Sequence, residues 1–86
     1  MTSMIVPTPR DIGRVVRQRR RSRGWSQGRL AAEAGVSRQW VVAMEAGKAT
    51  AELGTLLRTL AALGLAIDLV DAPPLHGEVD LDTLLG

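Results

Sequence analysis

The sequence predicts a mainly α fold of four helices closed by a single C-terminal β-strand. Capping-type residues (Thr8, Ser26, Ser37, Thr50) and glycines (Gly24, Gly35, Gly47, Gly64) punctuate the first three quarters of the chain at short intervals. Between them apolar residues recur at helical spacing. After Gly64 the pattern changes to Leu65-Ala66-Ile67-Asp68-Leu69, where large apolar residues alternate at strand period.

Residues 1–8 form an N-terminal arm without periodicity, expected to be flexible. Thr8 can cap a helix with Pro9 in its first turn, where the missing N–H costs nothing, and Asp11 near the positive end of the dipole. This helix is predicted over Pro9–Ser22, with Ile12, Val15 and Val16 apolar and the stems of arginines continuing the face. Gly24 ends it, and Trp25 is placed to seat it on the next two helices.

Ser26 caps a second helix from Gln27, whose Leu30, Ala31 and Ala34 share one face before Gly35 stops it. Ser37 caps a third from Arg38, with Val41 and Met44 turned back toward the second and Gly47 at its end. The fourth opens at Thr50 or Ala51 with Glu52 in its first turn. Its stripe of Leu53, Leu56, Leu57, Leu60 and Leu63 is the expected main contributor to the core.

The strand, over residues 64–71, has no partner in the chain. Its backbone donors and acceptors must pair elsewhere, most simply with a second copy across a two-fold axis, which makes Leu65, Ile67 and Leu69 the dimerisation candidates. Pro73-Pro74 then breaks the structure. Residues 72–86 form a flexible tail that is acidic yet carries Leu81, Leu84 and Leu85 at helical spacing, open either to disorder or to folding on a partner.

Eighty-six residues make one small domain, at a size where a second copy often completes the core. With no cysteine and one histidine, His76, neither a disulfide nor a metal cluster is expected, and no cofactor is implied. No signal peptide and no membrane span can be read, so a cytoplasmic protein is expected. No nucleophile stands beside a base, so catalysis is not expected either.

Charge is divided unevenly. Residues 1–50 hold ten Lys/Arg against three acids, whereas residues 51–86 hold Arg58 alone against six acids. A basic half with a differently employed acidic half suits a polyanion partner better than an evenly solvated surface.

The stretch from Trp25 to Lys48 gives that partner a geometry. Two short helices joined by a glycine-containing turn of three or four residues are a helix-turn-helix, whose second helix enters the major groove of DNA. Arg38 and Gln39 then stand at the readout positions, matched to guanine and adenine edges respectively, and Ala43 one turn on can touch a thymine methyl. Trp40 has two placements, against the sugar and groove wall or folded back onto its own domain. Gln27 and Ser37 are placed for phosphate, as are Arg19, Arg21 and Lys48. Glu45, on the inner side of the third helix, needs a cation, and a first-helix arginine is the obvious one.

The pattern from Arg17 to Lys48, R-x(2)-R-x(3)-G-W-S-Q-x-x-L-A-x-x-A-G-V-S-R-Q-W-V-x-x-x-E-x-G-K, resembles the Xre/Cro group of phage-repressor-like helix-turn-helix proteins. The resemblance covers roughly residues 10–63. It implies that Gln27 is a phosphate-gripping glutamine, that Arg38, Gln39, Trp40 and Ala43 face bases, and that Arg20 and Glu45 form an interhelical ion pair. Trp40 and Ala43 depart from the small polar residues common at those places.

The continuation TLLRTLAALGLAIDLVDA, a leucine-rich helix followed by an apolar strand, is similar to HipB-type antitoxins. That likeness implies a homodimeric repressor of its own operon, binding a palindromic operator and a HipA-like serine/threonine kinase toxin. The alternatives are a stand-alone Xre-family regulator without a toxin and a protein-interaction module acting through its tail.

Overall fold

A computed structural model describes residues 8–48 and 50–71. Four helices follow in order: α1 (Pro9–Ser22), α2 (Gln27–Ala34), α3 (Arg38–Glu45) and α4 (Leu53–Ala62). The first three have the predicted limits because their ends are set by local chemistry. The hydroxyls of Thr8, Ser26 and Ser37 accept from the backbone N–H of Asp11, Arg29 and Trp40, at 3.2, 3.0 and 3.0 Å. Pro9 occupies the first turn of α1 as expected.

The turn between α2 and α3 depends on Gly35, whose φ of 70° and ψ of 37° lie in the left-handed region. The reversal lets the Val36 N–H reach the Ala31 carbonyl at 3.0 Å and tucks Val36 against the core. Three residues suffice to pass from α2 to α3.

The helices meet in one core. Val16 from α1, Leu30, Ala31 and Ala34 from α2, Val41 and Met44 from α3, and Leu60 and Leu63 from the end of α4 are all buried. Helix α3 packs on α1 and on α2, and α4 packs on α2. Gly13 makes the α1–α3 approach feasible: a Cβ there would lie 2.5 Å from the Met44 carbonyl oxygen and 2.8 Å from that of Glu45.

Two expectations for α4 are corrected. It begins at Leu53 rather than Thr50 or Ala51, so Glu52 is its N-cap residue and makes no side-chain cap bond. Its leucine stripe is not the main core contributor: Leu60 and Leu63 are buried, but Leu53 and Leu57 are exposed. Periodicity marked the apolar face correctly without telling how much of it this chain covers.

Trp25 is half-buried against the core, as its size demanded. Two guanidinium groups lie over its ring, Arg23 at 5.2 Å and Arg29 at 5.1 Å from the centroid. Each such contact stabilises by about 0.5–1 kcal/mol at an exposed site.

Beyond α4, Leu65 is half-buried against the core, while Ile67, Leu69 and Val70 are exposed. Residues 65–71 carry neither helix nor strand in the single chain. The strand expected over residues 64–71 is therefore not formed among the described residues. The N-terminal arm before Thr8 and the tail over residues 72–86 lie outside the described residues.

Candidate nucleic-acid interface

The outward face of α3 is set by what holds its inner face. Val41 and Met44 are buried, which turns Arg38, Gln39 and Val42 to the exterior, all three exposed, with Ala43 half-buried beside them. Arg38 and Gln39 stand in the first turn, beyond the Ser37 cap, with both side chains free to reach a groove. Val42 was not singled out from the sequence. It is 40 % exposed, and the inward positions of Val41 and Met44 were signal enough to place it outside.

Trp40 takes the second of its two placements. It packs against the core from a half-buried position and lines a cleft between α3 and the following connector, with Ser37, Gln39, Lys48 and Thr50 also on the walls. Its side chain is thus engaged with the body of the domain rather than standing free on the outer face of α3. Lys48 is exposed at the end of α3.

Arg20 and Glu45 form the expected interhelical ion pair. The guanidinium Nε donates to Glu45 Oε2 at 2.7 Å and a terminal nitrogen donates to Oε1 at 3.0 Å. The remaining terminal nitrogen donates to the Trp25 carbonyl at 2.8 Å, so the buried group is well satisfied. Hydrogen bonding to Glu45 raises the Arg20 pKa above its ordinary value, outweighing the opposing effect of burial.

Glu45 also receives the Gln27 side-chain amide, Nε2 to Oε1 at 3.3 Å. Gln27 is half-buried at the first position of α2, so its orientation is set by the same carboxylate that fixes α1 to α3. Three helices converge on one side chain.

The first-helix arginines separate by direction. Arg19 donates to the Leu63 carbonyl and Arg23 to that of Ala62, each at 3.4 Å, satisfying carbonyls at the C-terminus of α4. Arg21 lies elsewhere, exposed beside Arg14, Arg17 and Gln18. Among the described residues no cluster of His, Asp or Glu could hold a metal ion, and no helix is long and apolar enough to cross a membrane.

A short capped helix presented by a glycine turn on a tightly fixed partner defines a helix-turn-helix protein. A family model described as a helix-turn-helix domain matches residues 11–72. The chain is also 43 % identical over 65 residues to the uncharacterized HTH-type transcriptional regulator y4mF of Sinorhizobium fredii, covering 76 % of this chain and 86 % of that one. The chain belongs to the helix-turn-helix family, as an HTH-type transcriptional regulator of the Xre/Cro kind, and this is a non-catalytic family.

Proposed function

We propose that the protein is a sequence-specific DNA-binding repressor that acts as a homodimer on a palindromic operator. The outward face of α3 carries this reading. Arg38 and Gln39 are exposed in its first turn, with Val42 and Ala43 one turn on, while the inner side is held by the core and by Glu45. Arg38 suits guanine O6 and N7, Gln39 suits adenine N6 and N7, and Val42 and Ala43 suit thymine methyls. Gln27, Ser37, Arg21 and Lys48 take phosphates, whereas Arg19, expected among them from the sequence, donates to the Leu63 carbonyl. The second copy is held through Leu65, Ile67 and Leu69, spacing the two reading helices about one turn of DNA apart.

On this reading the chain is a stand-alone transcription regulator. A second reading, the antitoxin of a HipBA-like pair with a HipA-like kinase as partner, rests on the likeness of the leucine-rich α4 and the apolar residues after it to HipB-type antitoxins.

Fluorescence-anisotropy binding to the DNA upstream of the chain's own gene, against a scrambled duplex, tests the main reading. A preference of about 10³ or more supports it. Equal binding to both duplexes removes the self-repressing operator, and no binding at low salt removes DNA altogether. The antitoxin reading requires a kinase-like neighbouring product that co-purifies with the chain.

A further inference from the structure

Four arginines of α1, Arg10, Arg14, Arg17 and Arg21, are exposed at positions i, i+4, i+7 and i+11. At 3.6 residues per turn they fall in one sector of the helix, beside the line of Gly13 and Arg20 that faces α3. The row extends roughly 16 Å along the axis at 1.5 Å per residue. Arg14, Arg17 and Arg21 line a shallow open groove together with Gln18.

These side chains are not employed by the fold. Among the described residues the ion pairs are Arg20 with Glu45 and Arg29 with Glu33, so no carboxylate neutralises the row. Asp11, the acid of α1, accepts from the Thr8 hydroxyl at 2.7 Å. Like charges three and four residues apart on a helix are mutually destabilising. Arg19, Arg20 and Arg23, by contrast, are all bonded to other parts of the domain. The helix thus divides its arginines into a structural set and an uncommitted one.

The uncommitted row starts at the candidate interface. Gly47, at the end of α3, is so close to α1 that a Cβ there would lie 3.0 Å from the Arg10 Cα. Arg10 therefore stands at the corner where the reading helix ends and Lys48 follows. From that corner the row leads away along α1.

We propose that this face of α1 is a second phosphate-binding surface, which holds the DNA backbone beyond the base pairs read by α3. The proposal rests on the DNA-binding reading above and adds contacts it did not contain, those of Arg10, Arg14 and Arg17. Several successive phosphates of one strand fit a row of this length, since each strand offers one per about 3.4 Å of helix axis. Contacts of this kind add affinity without sequence preference. An acidic protein segment would match the charge, but the row's continuity with the end of α3 favours DNA.

The test is the salt dependence of binding to a mixed-sequence duplex, followed by anisotropy for the full chain and for a variant carrying Arg10→Gln, Arg14→Gln and Arg17→Gln, with Arg21 left in place. Each phosphate contact contributes about 0.9 to the slope of log K against log salt. The expected result is a slope shallower by about 2 to 3, restored when the three positions are lysine, with base preference in a selection from random duplexes unchanged. A slope equal to the unaltered chain's overturns the proposal, as does DNA binding by the variant that is as tight as the unaltered chain's at every salt concentration. An unaltered chain that binds no duplex at any salt overturns the DNA reading itself and this surface with it.

Discussion

Glu45 receives Arg20 through both carboxylate oxygens, at 2.7 and 3.0 Å, and thereby joins the last residue of α3 to the last turn of α1. The Glu45 and Arg20 side chains are 4 % and 10 % exposed, so little of either charge is open to water. Their shared position ties three helices together: α1, α3 and, through Gln27, the start of α2 all close on the same group.

Removing one partner should therefore cost more than removing both. Glu45→Gln leaves the Arg20 charge buried without its counter-ion, and urea denaturation should show a loss of about 3–5 kcal/mol. Arg20→Met combined with Glu45→Leu should lose less than either single change, because no stranded charge remains. Losses that simply add would mean that the two residues act independently.

Gly13→Ala sets two effects against each other. Alanine is better than glycine in a helix by about 1 kcal/mol, and Gly13 stands in the second turn of a 14-residue helix. The added methyl, however, would sit 2.5 and 2.8 Å from two backbone carbonyl oxygens of α3, neither of which belongs to a flexible side chain. Overpacking of this kind costs about 1–3 kcal/mol, so a net loss of stability is expected. A thermal midpoint at or above that of the unaltered chain would show that α1 can shift away from α3 freely.

Removal of the Arg38 side chain should act on recognition alone. The residue is exposed, and among the described residues its side chain donates no hydrogen bond, so Arg38→Ala should leave the denaturation midpoint within about 0.5 kcal/mol of the starting value. Binding selection should show one base position relaxed by about 1–3 kcal/mol of discrimination. A profile identical to that of the unaltered chain would take Arg38 out of the reading set.

What could be read in the sequence was what is decided within a few residues. A serine or threonine three positions before an unpaired N–H, and a glycine where the chain must turn left-handed, specify the limits of α1, α2 and α3 on their own. Glu52 is different. It caps α4 by backbone conformation alone, φ −67° and ψ 130°, without a side-chain bond, so nothing in the residue type marked the start. The arginines were legible as a charge but not as individuals: whether Arg19 meets a phosphate or the Leu63 carbonyl depends on where α4 ends in space. Arg20 alone could be named, because Glu45 required a cation and the resemblance supplied its position.

The exposed leucines of α4 and the residues after it lead to the last prediction. Leu53 is 63 % exposed and Leu57 43 %, followed by Ile67 at 47 %, Val70 at 63 % and Leu69 at 92 %. Single exposed apolar side chains need no explanation, but Ile67, Leu69 and Val70 lie within four positions, on a domain this small, and are the apolar side chains a second copy would cover. If a second copy covers them, a charge placed there should separate the copies without unfolding either, since none of these side chains belongs to the buried core. Ile67→Glu with Leu69→Glu should therefore shift light-scattering mass from dimer to monomer while leaving helical circular dichroism unchanged. The same variant should bind a single half-site as the starting chain does and lose its advantage on the palindrome, because only a dimer places two reading helices on one duplex. A variant that remains dimeric would assign the interface to another surface and leave residues 65–71 free for a different partner.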